Sequence, residues 1–153
     1  AKLAMMLFFI LSSTALVFIS GLIVGLIYSG DASDAFSGIH YVGYYALMAA
    51  MYLGAAFLIA MLVKRTGLAI IIYFALVCIA DNLVWLLLTL GDKQTGYFLP
   101  LETTDSLVPN PFKPSMMEKR TVEDYFLVAA ALGYLGLFSY IIINYFRKSD
   151  LKT

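Results

Sequence analysis

Four apolar runs, residues 3 to 28, 39 to 63, 67 to 90 and 125 to 146, dictate what this chain can become. Each exceeds the roughly 18–20 residues needed to cross about 30 Å of hydrocarbon at about 1.5 Å of rise per residue. In that medium an unpaired backbone amide costs several kcal/mol, so each run must satisfy its own hydrogen bonds as a helix, and four strands are too few to close a barrel. The expected fold class is all-α: a polytopic integral membrane protein with four transmembrane helices in a single transmembrane domain over residues 1–153. Composition agrees, with 62% hydrophobic and 13% charged residues, against about 25% charged in an ordinary soluble domain.

The first run begins just after Lys2, as a secretory signal might. It continues well past the roughly 7–15 residues of a signal core, however, and no A-x-A-like cleavage site follows. It reads as a spanning helix, and the start at Ala1 reads as that of a fragment or processed chain.

Cations orient the bundle, because short loops rich in Lys and Arg stay in the cytoplasm. Lys2 precedes the first run, Lys64 and Arg65 separate the second from the third, and Arg147, Lys148 and Lys152 follow the fourth. All fall on one side, so Lys64, Arg65, Arg147 and Lys148 set the topology and place the C-terminus in the cytoplasm. "KRTG" becomes a cytoplasmic hairpin turn, with Gly67 loosening the re-entry. The opposite side receives "SGDASDAFSG", which has two aspartates and no cation, and the extracytoplasmic segment 91–124.

That segment holds all four prolines, including Pro100 and Pro109, and is too long for a plain hairpin. Within "YFLPLETTDSLVPNPF", Pro100 suits a first helical position and Pro109 a stop, which predicts a short helix or broken turn able to dip back toward the bilayer. A disordered tether is the alternative; the apolar Phe98, Leu99, Leu101, Leu107 and Phe112 argue against full solvation.

The same inventory removes several classes of chemistry. Equal numbers of acids and bases, ten of each, leave no basic footprint for nucleic acid. A single cysteine, Cys78, precludes an internal disulfide and paired-thiol chemistry, and a single histidine, His40, precludes a zinc site built on two. No Walker A pattern occurs, so the chain does not hydrolyse ATP through a P-loop. No metal site and no catalytic residue is expected.

Helices in lipid associate through small residues that let backbones approach. Candidate packing positions are Gly21 and Gly25 in the first run, Ala50 and Gly54 in the second, and Gly133 and Gly136 in the fourth, serving either intrachain packing or dimerisation. Asp81, with Asn82 beside it, is the charged residue inside a run, about 21 Å along the third helix from Gly67. A carboxylate there either accepts hydrogen bonds from neighbouring helices or marks a substrate or ion pathway. Both readings stand for Asp81 and Asn82.

The order of features resembles a known family. "AKLAMMLFF" entering the first span, "LVKRTGLAIIIYF" across the turn, the acid in "CIADNL", "YFLPLETTDSLVPNPF" outside and "YFRKSDL" at the end resemble the C-terminal part of the permease subunits of type-2 ATP-binding cassette (ABC) transporters, the export class. The resemblance runs through essentially the whole chain. It implies that the four helices correspond to spans three to six of a six-helix permease. The first two spans and most of the contact with the ATPase would then precede Ala1. It further implies a bacterial inner-membrane location, a second permease copy, a separate ATPase subunit that binds ATP and magnesium, no cofactor in this chain, and an outer segment that shapes the exit. The competing expectation is a structural or assembly four-helix membrane protein without a transport pathway.

Overall fold

The computed structural model describes residues 2–29, 36, 38–63, 65–80, 83–84, 86–88, 95–108 and 122–150. Among the described residues every regular element is helical. Three helices are long and apolar enough to cross a membrane: α1 (Lys2–Ser29), α2 (Ile39–Leu62) and a C-terminal helix over Asp124–Asp150, their apolar portions being Ala4–Tyr28, Ile39–Leu62 and Asp124–Arg147. The expected boundaries of these three runs agree with the helices to within a few residues. The chain divides into two compact units, Ala1–Ala50 and Met51–Thr153, and the division falls inside α2.

In the first unit, α1 is apolar on every side and no residue of its spanning window is buried. A helix of that kind belongs in hydrocarbon. Its serines need no partner from outside: Ser12, Ser13 and Ser20 donate to the carbonyls of Phe9, Ile10 and Leu16 in the same helix. At the start of α2, His40 stacks on Tyr41 with ring centroids 4.1 Å apart and lies edge-on to Tyr44 at 5.7 Å. This cluster of ring side chains suits a helix end at a membrane–water boundary.

In the second unit the third apolar run departs from a plain span. It forms α3 (Thr66–Ala75), continues as a π-helical turn over Leu76–Ala80 and is helical again at residues 83–84 and 86–88, while 81, 82, 85, 89 and 90 of the expected helix over 67–90 lie outside the described residues. The turn from α2 is as short as expected and lies one residue earlier, at residues 63–65. Arg65, extended at φ −106° and ψ 116°, makes the bend, and its carbonyl accepts the N–H of Ala69. Gly67, expected to loosen this re-entry, lies instead within the first turn of α3.

Two further helices complete the unit: α4 (Glu102–Asp105), preceded by a 3-10 turn at Thr95–Phe98, and α5 (Asp124–Asp150). The core follows helical spacing. Met51, Ala55 and Ile59 share one stripe of α2, while Leu127, Ala131 and Ile142 share one of α5, and all are buried. At Gly54 the two helices meet: a Cβ there would lie 3.5 Å from Phe138 and 3.7 Å from Leu135, both on α5. Gly54→Ala should therefore be tolerated, whereas Gly54→Leu should overpack the contact and cost about 1–3 kcal/mol. Equilibrium unfolding in mixed micelles checks this, with Gly136→Leu as the comparison because a Cβ at 136 meets nothing within 4 Å.

Candidate functional site

Residues 95–108 form a polar segment folded against α5 and α2, within a unit whose other elements are apolar. Two tyrosines hold it. Tyr134 of α5 donates its hydroxyl to the carbonyl of Phe98 at 2.7 Å, and Tyr52 of α2 donates to both carboxylate oxygens of Asp105 at 2.9 and 2.8 Å. Tyr52 lies about 20 Å from the start of α2 and about 15 Å from its end, near the middle of the helix. The carboxylate is thus held level with the centre of a membrane-length helix.

The local sequence explains how polar backbone can be placed there. Irregular chain at such depth is tolerated only where protein surrounds it and its amides and carbonyls find partners. The N–H groups of Thr103, Thr104, Asp105, Ser106 and Leu107 donate to the carbonyls of Leu99, Leu101, Leu101, Glu102 and Thr104. Pro100 lies inside the first of these bonds and has no N–H of its own to satisfy. Helix α4 starts at Glu102 with Leu101 as its cap, so Pro100 stands just ahead of the helix rather than at its first position.

Side chains complete the arrangement. Thr103 Oγ1 donates to the carbonyl of Pro100 and Thr104 Oγ1 to that of Leu101, each at 2.9 Å. Both threonines are fully buried, Glu102 is 8% exposed, and Leu101 and Leu107 anchor the two ends of the turn. Ser106 Oγ faces Glu102 Oε1 at 3.5 Å, a long contact one helical turn apart. Of the two expectations for this segment, the described residues match the short helix folded back on the bundle and not the disordered tether.

Glu102 and Asp105 therefore form the best-defined polar site among the described residues. Sequence reasoning noticed the segment and missed these two acids. The available signal was their placement with two threonines between Leu101 and Leu107, an apolar frame that ordinary solvated loops lack. Chemically, a carboxylate held by the Tyr52 hydroxyl and a second facing Ser106 can recognise a cation or a donor-bearing group, and an ionisable residue within a membrane bundle is a functional candidate by default.

The expected site residues are distributed differently. Asp81, Asn82 and Lys64 lie outside the described residues. Arg65 and Arg147 stand exposed at helix ends, and Lys148 belongs to α5 with its side chain outside the described set. Among the packing candidates, Gly54 lies at a helix contact, Ala50 and Gly25 are half-buried, and Gly21, Gly133 and Gly136 have open space where a Cβ would stand. Cys78 is exposed on the π-helical turn. Among the described residues no group of three or more His, Cys, Asp or Glu side chains could hold a metal ion. No family model, curated protein or solved structure matches this chain.

Proposed function

We propose that this chain is the membrane-embedded permease part of an ATP-driven exporter of the type-2 ABC class, working as one of two permease copies with a separate ATPase that binds ATP and magnesium. In this reading the third apolar run also crosses the bilayer, giving four spans in a bacterial inner membrane. Lys64, Arg65, Arg147 and Lys148 then mark the cytoplasmic side, where the C-terminus lies.

One observation carries the proposal. The segment preceding the last long helix is folded into the bundle, with Asp105 held on Tyr52 near mid-helix. A bundle that only scaffolds has no need of a carboxylate at that depth, whereas a passage for polar or amphipathic substrates needs polar groups along it. The permease would contribute shape and recognition, and ATP-driven closure of the partner would shift it between inward- and outward-open states.

The test uses the complete protein encoded by the gene. It is expected to copurify with a nucleotide hydrolase and to support ATP-dependent flux in proteoliposomes. In a Cys78→Ser background, a cysteine at position 36 should react with an impermeant maleimide added outside intact cells, and one at position 65 only after the cells are opened. A stable complex with no hydrolase and no ATP-dependent flux would refute the exporter reading and favour a scaffold. Inverted labelling would refute the topology.

A further inference from the structure

Beside the polar segment, the second unit contains a cavity of about 290 Å³. Its walls come from α2 through Ala55, Leu58 and Ile59, from the π-helical turn through Leu76, from the cap of α4 through Leu101, and from α5 through Phe138. Every lining residue is apolar, so water, which needs two to four polar partners, has no reason to occupy it.

Size decides among apolar occupants. A cavity of about 150 Å³ admits benzene, so one nearly twice as large suits a saturated chain of roughly ten carbons. A helix about 10 Å wide with a pitch of about 5.4 Å fills roughly 400 Å³ per turn, so a helix from a second copy or another subunit does not fit.

Position adds a second argument. Tyr52, Ala55 and Ile59 stand at i, i+3 and i+7 on one face of α2, so the cavity wall begins about 4.5 Å along the helix from the tyrosine that holds Asp105. A molecule lying along this face meets a dry apolar slot and, one turn away, a carboxylate. That is the polarity of an amphiphile.

We propose that this cavity binds a single hydrocarbon chain of roughly ten carbons, the tail of an amphiphile lying along α2. The chain comes either from a bilayer lipid or from a free amphiphile, and the binding chemistry is the same for both. The proposal stands apart from the transport reading, because binding requires neither ATP nor a partner subunit.

Photolabelling of the full chain in nanodiscs tests it with two probes. One is a decylamine bearing a terminal diazirine, whose ammonium head suits the Asp105 carboxylate; the other is a phosphatidylcholine carrying the same group on one chain. Label is expected to concentrate on the peptides containing Leu58 and Leu101, to fall at least fivefold in Ala55→Trp, and to be displaced by excess decylamine when the free probe is used. Leu58→Phe is the milder filling variant should Ala55→Trp fail to fold. Labelling by the decylamine identifies a free amphiphile and labelling by the phospholipid identifies a bilayer lipid; either supports the site. Label spread evenly over the exposed faces of α1 and α5 and unchanged by both variants overturns the proposal. So does the absence of wall labelling with both probes, the result expected if a neighbouring subunit's side chain fills the space.

Discussion

Replacing Tyr52 with phenylalanine is expected to destabilise the second unit by about 1.5–3 kcal/mol, the range for losing hydrogen bonds to a charged group. The ring stays, so packing along α2 is preserved and the loss reports the hydroxyl. What disappears is the pair of contacts to Asp105 at 2.9 and 2.8 Å, which join the middle of α2 to a residue 53 positions away. Asp105→Asn should cost less, because the amide oxygen still accepts from the tyrosine. A double-mutant cycle over the two positions, read by equilibrium unfolding in mixed micelles, should give a coupling of about 0.5–3 kcal/mol. If Tyr52→Phe unfolds within about 0.5 kcal/mol of the parent, a spread ordinary for inconsequential surface changes, the contact does not hold the segment. Asp105→Asn also separates structure from recognition: normal stability with lost flux would assign a role to the charge itself.

Leu101→Ala is expected to have a larger effect, about 2–5 kcal/mol, the range for deleting a buried leucine side chain. Leu101 is 2% exposed, caps α4 and forms part of the cavity wall. Its loss enlarges an existing void, and the neighbouring backbone is fixed by Thr103 and Thr104, which limits collapse into the space. The costly end of the range is therefore expected. In a Cys78→Ser background, a cysteine replacing the fully buried Thr103 should be inert to maleimide and become reactive when Leu101→Ala is added. An unreactive cysteine in the double variant would mean that the segment is held without this anchor.

Much of this architecture was legible in the residues because membrane-length helices announce themselves by continuous apolarity. The runs at 3–28, 39–63 and 125–146 needed no tertiary information, since each helix satisfies its own backbone. The π-helical turn at Leu76–Ala80 was hidden for the complementary reason: α and π winding use the same residue types and differ by one residue per hydrogen-bonded turn. The polar site was legible only by half. "YFLPLETTDSLVPNPF" showed its apolar frame and its proline, so a fold back onto the bundle was readable. That Asp105 would meet Tyr52 was not, because the pairing depends on how α2 and α5 converge, and no local pattern encodes a contact between positions so far apart. The acid that composition alone flags is Asp81, where a charge interrupts an apolar run.

The grip of α5 on residues 95–108 also orders events during synthesis. Tyr134, which holds the Phe98 carbonyl, is made 36 residues after it, and a chain grows from its N-terminus at roughly 5–20 residues per second. Until Tyr134 is made, the Glu102 turn lacks that contact and relies on its own local bonds and on Tyr52. Arrival of α5 supplies that contact, which makes the last helix the keystone of the unit: a chain that stops short of Tyr134 lacks the hydroxyl that fastens the Phe98 carbonyl.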